Sequence, residues 1–276
     1  MIVQTHRRMY MPTPVKAENL LVKRLQALLA IHEPAEIDLA RLARDAENLI
    51  NKTKSKDAEP YCILGGVRFL QGKYQEGKNL FEMAMSFDSY PELHSNYANM
   101  LRASLFFEES SRVLDKAVIQ FPGNTELLFE AFDAAFLNID IEKAIAYARQ
   151  MMNLRLEITD DTYISFLSYL SNDGVDDSVA AFVEKVRNRK CSYNDLRSVL
   201  NTALDVIRKK HVISVSVDVL FLLDPDLDLD LDITVYVSGT PESISETNSM
   251  IINEIINNHT DSFIDIFTVS CNCATD

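Results

Sequence analysis

Glycine and proline are scarce, at seven and eight in 276 residues. A β-sandwich or a phosphate-cradling α/β fold needs more turn and loop residues than that, so the balance favours helix. No apolar run reaches the roughly 18 residues that a membrane span needs. The start, MIVQTHRRMYMPTPVK, lacks the apolar stretch and small-residue cleavage site of a secretion signal. A soluble cytoplasmic protein with no membrane contact is expected. The four cysteines, Cys62, Cys191, Cys271 and Cys273, form no C-x-x-C pair and have no His-rich companion, which predicts buried thiols and neither a zinc site nor a disulfide framework. His6, His32, His94, His211 and His259 are scattered, and no phosphate-loop, dinucleotide, metalloprotease or nucleophile-elbow motif is present. An enzyme is not expected, and no catalytic residue, metal ligand or cofactor is assigned.

Cations are missing from one end. Net charge is −14, with Lys+Arg 27 against Asp+Glu 41. Residues 211–276 hold twelve acidic side chains and no Lys or Arg, leaving −2 for the first 210 residues. The chain therefore has two parts of different electrostatic character.

What is present is apolar periodicity, in a chain that is 47% hydrophobic. Residues 1–14 are basic and broken by proline, an arm. Residues 15–32 place Leu20, Leu21, Leu25, Leu28 and Leu29 at helical spacing, and residues 36–51 do the same with Ile37, Leu39, Ala43, Ala46 and Leu49, so an antiparallel helix pair fills the stretch to residue 57. From Ala58 the chain repeats with an offset of 33: Gly65 matches Ala98, Gly77 matches Ser110, Phe81 matches Leu114 and Ala84 matches Ala117. A third unit has the turn Asn138–Ile139–Asp140 but Phe132 and Met151 at two small-residue positions, which predicts splayed or rotated helices. A fourth, 160–190, keeps a turn at Asn172–Asp173–Gly174 and carries Leu167, Val179 and Val186 at those positions.

Residues 58–191 thus resemble the tetratricopeptide repeat, a two-helix unit of about 34 residues that needs small side chains where its helices cross. Pro122 stands at the terminal proline of that pattern. The resemblance implies a mainly α solenoid of helical hairpins with a concave face lined by the first helix of each unit. It places Glu59, Cys62, Gly66 and Phe69, then Glu92, Ser95, Asn99 and Arg102, then Phe129, Asp133 and Phe136 on that face. Asn99 and Arg102 offer amide and guanidinium donors to a peptide backbone and a carboxylate. The Lys and Asn of a chaperone-type carboxylate clamp are replaced by Cys62 and Gly66 in the first unit. Phe69 and Phe136 also fit the core between helices.

Ser192 with Asp195 three residues later opens a helix over 192–210 whose apolar face suits a solenoid cap. From His211 the period becomes two. Val215 to Leu223 and Leu227 to Val237 have apolar side chains at odd positions, a hairpin turning at Asp224–Pro225–Asp226; Thr240–Pro241 starts a helix, and residues 262–273 give a third strand. This acidic β-β-α-β unit, 211–276, has a thin core and is expected to depend on the repeat domain or on a partner to stay folded.

Its hairpin carries Asp224, Asp226, Asp228, Asp230 and Asp232 at every second position. A solvated face opposite the apolar one explains the alternation. A one-sign face also suits a basic partner surface or the protein's own N-terminal arm, and guards an edge strand. Same-face carboxylates lie ~6.7 Å apart along a strand, too far for a six-ligand calcium cage. The residues together predict a protein-binding module, an adaptor, chaperone or sequestering regulator, taking a protein or peptide partner with a basic surface and no nucleic acid directly. Two other readings stay open: an inhibitor whose acidic surface imitates nucleic acid, and a metal-dependent enzyme using the Asp224–Asp232 strand. Oligomeric state is not legible.

Overall fold

A computed structural model describes residues 20–31, 34–52, 57–156, 161–171, 178–188, 191–211, 214–222, 230–259 and 267–274. Twelve helices and three strands lie among them, so the protein is mainly α with a small α+β part at the C-terminal end. They divide into two compact units, one ending at Leu127 and the other starting at Leu128. The N-terminal arm and the Asn172–Gly174 turn lie outside the described residues.

The first unit holds three hairpins: α1 (Leu20–Leu29) with α2 (Glu36–Lys52), α3 (Ala58–Leu70) with α4 (Tyr74–Phe87), and α5 (Pro91–Ala103) with α6 (Phe107–Gln120). Besides its sequence neighbours α2 and α4, α3 touches α1 and α5, so the first helices of the three hairpins form one layer. The small residues sit at the crossings. A Cβ built on Gly65 would stand 2.9 Å from the Phe81 ring, and one on Gly77 would stand 2.6 Å from the Phe69 ring. In the next hairpin Ser110 Oγ donates to the Ala98 carbonyl at 2.9 Å, so a hydroxyl fits where glycine stands one repeat earlier. The crossing residues Phe69, Phe81, Leu114, Ala84 and Ala117 are fully buried.

Three of the hairpin turns have the same geometry. Gly72, Leu105 and Ile139 have φ of 70°, 63° and 53°, at sequence offsets of 33 and 34 residues. The following amide donates back to the helix end in each case, Lys73 to Arg68, Phe106 to Leu101 and Asp140 to Ala135, all at 2.8 Å. This left-handed cap returns orphan carbonyls to hydrogen bonding. Glycine adopts it without strain, whereas Leu105 and Ile139 accept the strain and bury their side chains at 1% and 0% exposure.

The second unit continues from Leu128 in α7 (Thr125–Leu137) through α8 (Ile141–Asn153), α9 (Asp161–Ser171), α10 (Ser178–Asn188) and α11 (Tyr193–Lys210). Phe132, one of the large residues at a small position, is fully buried, edge-on to Tyr163 and Phe166 and stacked with Phe136. Met151, Val179 and Val186 are buried as well. An aromatic cluster thus fills the space that small residues close in the earlier hairpins. Ser192 and Asp195 complete a reciprocal capping box at the start of α11.

Strands β1 (Ser214–Leu222) and β2 (Asp230–Val237) are antiparallel, and β3 (Phe267–Cys273) lies parallel to β2 after the helix α12 (Pro241–Asn258), giving the order β1-β2-β3. Val219, Leu231, Ile233, Val235, Val237, Val269 and Cys271 are buried, the odd-numbered face that the alternation predicts. Both α11 and α12 contact β3 and each other. Helix α11 therefore adds cover to a sheet that α12 alone would leave thin. On β3, Asn248 of α12 acts as a substitute strand: its Nδ2 donates to the Cys271 carbonyl at 2.9 Å and its Oδ1 accepts from the Cys271 amide at 2.8 Å.

Candidate binding groove

The first unit encloses an open cavity of about 420 Å³. Helix α1 lines it with Val22, Leu25 and Gln26, helix α3 with Glu59, Cys62 and Gly66, and helix α5 with Glu92, Asn96 and Met100. Phe81 forms part of the floor and stacks on Tyr97 at 4.9 Å between ring centroids. The walls are therefore the first helices of three successive hairpins. Gly66 matters for its shape, since a Cβ there would meet Leu25 at 2.9 Å, and the missing side chain lets α1 lie close to α3.

Three of the residues expected from the repeat pattern on α3 border this cavity, namely Glu59, Cys62 and Gly66. Phe69 does not; it is fully buried at the α3–α4 crossing, beside Gly77. On α5 the cavity takes the row Glu92, Asn96, Met100, spaced four residues apart and so on one face of the helix. Ser95, Asn99 and Arg102 occupy the neighbouring row. Ser95 and Asn99 are buried, at 4% and 5% exposure, and Arg102 Nη2 donates to Asn99 Oδ1 at 2.5 Å. That guanidinium and that amide already serve each other. Phe129, Asp133 and Phe136 belong to the second unit: Phe136 is buried against Phe166 and Phe132, whereas Phe129 and Asp133 are half-buried.

Loop residues that the helical pattern does not mark complete the rim. Asp57 precedes α3 and accepts from the Glu59 amide as its N-cap, and Asp88 and Tyr90 lie in the link between α4 and α5. Asp57, Glu59, Asp88 and Glu92 give this rim four carboxylates, and among the described residues none of the lining side chains is Lys or Arg. Their field acts on the groups between them. Burial pushes the Cys62 thiol up to about 12, helped by the charges of Glu59 and Asp57. The Tyr90 hydroxyl is pushed up in the same way, by burial first and then by Cys62, Glu59, Asp88 and Glu92. Cys62 is therefore a neutral, weakly nucleophilic part of the wall. The Oδ1 of Asn96 is buried with no hydrogen-bond partner.

The acidic strand is a separate matter. Asp224, Asp226 and Asp228 lie outside the described residues, and Asp230 is the first residue of β2. Asp232 is half-buried and accepts from Thr234 Oγ1 at 3.1 Å, while Thr234 Oγ1 and Ser270 Oγ approach to 3.3 Å. Asp218 is only 2% exposed, and the Tyr236 hydroxyl donates to it. At those two positions the carboxylates belong to a cross-strand polar network and not to a freely solvated face. Among the described residues no group of three or more His, Cys, Asp or Glu side chains is placed to hold a metal ion, and no helix is long and apolar enough to cross a membrane.

No protein-family model, curated protein or solved structure matches the chain.

Proposed function

We propose that this protein is a binding module that takes a segment of another protein into the groove between α1, α3 and α5, in the manner of tetratricopeptide-like repeats. The observation that carries the reading is the cavity itself, about 420 Å³ with an apolar floor and walls drawn from three hairpins. A cavity of this size and lining accommodates a few side chains of an extended or helical peptide. The repeated left-handed caps and the small residues at the crossings support the repeat likeness, and they fix the helices so that the groove exists before a ligand arrives. An adaptor or a chaperone that holds a client segment fits this geometry. The one-sign C-terminal unit would add long-range attraction for a basic partner surface.

Selection of a random dodecapeptide phage library on the full-length protein tests the reading. Asn96→Trp and Gln26→Trp each fill the groove from a different helix, and variants that keep the wild-type melting temperature are compared. Peptides that bind the wild type are expected to lose both variants. Peptides retained equally by both would place the binding surface elsewhere.

A further inference from the structure

We propose that His94 is an acid-sensitive latch on the link between α4 and α5: a proton on its ring frees residues 88–90, which form one side of the cavity. The latch works in the same way whatever occupies that cavity. His94 stands one turn into α5 and is 7% exposed. Its Nε2 lies 2.9 Å from the Ser89 hydroxyl oxygen, which also accepts from Gln120 Nε2 at 2.9 Å. One serine thereby ties the link to α5 and to the last residue of α6. On either side of Ser89, Asp88 and Tyr90 border the cavity. The imidazole meets Phe121 edge-on at 5.6 Å, and its Nδ1 is buried with no hydrogen-bond partner.

This arrangement suits only the neutral ring. Neutral imidazole has one donor and one acceptor nitrogen, and in either tautomer the Ser89 hydroxyl satisfies Nε2. Imidazolium carries a charge and two N–H donors, one of which, at Nδ1, meets no acceptor here. Burial alone holds the His94 pKa below its ordinary value. Asp88 and Glu92 beside it in sequence, Glu59 on α3, Glu82 on α4, Asp115 and Lys116 on α6 and Glu126 on α7 contribute nothing to that displacement. A proton is therefore accommodated by bringing the ring to water. The link is the least costly part to move, since Asp88 is exposed and Ser89 and Tyr90 are half-buried, whereas the α5–α6 crossing is held by fully buried Leu93, Ala98 and Leu114. A histidine with a lower pKa in the closed form binds protons more tightly when open. The closed form is thus fully favoured above the ordinary value of about 6.5 and loses ground as pH falls from there towards the lowered one.

The test follows the full-length protein from about pH 7.5 to about pH 5.5, across the ordinary histidine value and above the ordinary carboxylate range. Exchange at the imidazole C2 carbon, read by peptide mass spectrometry, gives the His94 titration. Backbone amide exchange by NMR, corrected for the pH dependence of the chemical step, gives the opening of the link. Its reporters are the amides of Asp88 and Leu93, which donate to the Ala84 and Tyr90 carbonyls. Their protection is expected to fall about three- to tenfold over this range, as for a ring that ionises more readily in the open form. The Lys73 amide at the α3–α4 turn is expected to keep its protection. In His94→Gln, which keeps a polar side chain beside Ser89 but does not titrate, the pH dependence should vanish. Protection that stays constant with pH in the wild type, or a dependence that persists in His94→Gln, would overturn the proposal. If His94→Gln does not fold, the wild type decides alone: a His94 ring that titrates at the ordinary histidine value, or a link that opens at a pH unrelated to the His94 titration, overturns it as well.

Discussion

Gly77 stands so close to Phe69 that a Cβ on Gly77 would lie 2.6 Å from the ring, with the Gly65 carbonyl 3.1 Å away on the other side. Alanine in a helix interior normally gains about 1 kcal/mol over glycine. Here the ring is fully buried and the other neighbour is backbone, so neither can yield cheaply. Overpacking of this kind costs ~1–3 kcal/mol. Gly77→Ala is expected to destabilise the protein by up to about 2 kcal/mol net in urea unfolding. A gain in stability would show that the helices are not held at this distance.

Leu105→Gly sets backbone strain against burial. Leu105 has φ of 63° and is 1% exposed. Glycine would relieve ~1–2 kcal/mol of left-handed strain, but removal of a buried leucine side chain costs ~2–5 kcal/mol. The variant is expected to be less stable by about 1–3 kcal/mol. The same contest explains why a side chain that local propensity disfavours is found at a turn where the preceding repeat has Gly72.

Much of the fold was legible because it depends on spacing. The alternation of apolar residues located both hairpin strands, and the pairs Gly65 with Gly77 and Ala98 with Ser110 located two helix crossings. The unread parts depend on contacts that spacing does not encode. Leu105 and Ile139 carry no glycine to announce a left-handed cap. On α5 the groove takes Glu92, which the repeat pattern does mark, but continues with Asn96 and Met100 and not with Ser95 and Asn99, because the rotation of a helix about its axis is set by packing on all sides. Asp57, Asp88 and Tyr90 come from helix ends and links, which the repeat pattern leaves unassigned. Asp218, on the strand opposite that of Asp230 and Asp232, is buried with the Tyr236 hydroxyl, a pairing that the alternation of apolar residues does not encode.

Asn248 closes the outer edge of β3 through both its amide groups. Asn248→Ala leaves the Cys271 amide and carbonyl without these partners, at a cost of about 1–3 kcal/mol for the pair. Asn248→Asp retains the acceptor and loses the donor, so it should fall between the wild type and the alanine variant. Thermal unfolding of the three proteins gives the order.

The capping box at Ser192 ties stability to pH. Asp195 accepts from the Ser192 hydroxyl at 2.6 Å and from its amide at 2.9 Å, and these hydrogen bonds hold its carboxyl below the ordinary value. A carboxyl lowered in the folded state stabilises above its unfolded pKa, and the contribution fades as pH falls through the folded value. Ser192→Ala is expected to cost about 1 kcal/mol at neutral pH. Part of that difference should disappear in the acid range as Asp195 becomes protonated in both proteins.

Cys62 should be a slow thiol. With its pKa at about 12, it holds little thiolate at neutral pH. Set against the greater intrinsic nucleophilicity of a more basic sulfur, the loss of thiolate makes alkylation about fiftyfold slower than for an ordinary cysteine, before access is counted. Iodoacetamide labelling followed by peptide mass spectrometry should show Cys62 protected in the native protein and labelled in urea. Rapid native labelling would mean that the groove wall is more open or less acidic than described.

The central claim is that α1, α3 and α5 present one ligand surface. Site-specific photocrosslinking in the native host tests it most directly, with p-benzoylphenylalanine placed in turn at Gln26 and Asn96 in the groove and at the exposed Glu82 on α4. The groove positions are expected to crosslink to one and the same partner segment, while Glu82 does not. Equal capture at Glu82, or different proteins from Gln26 and Asn96, would contradict the claim.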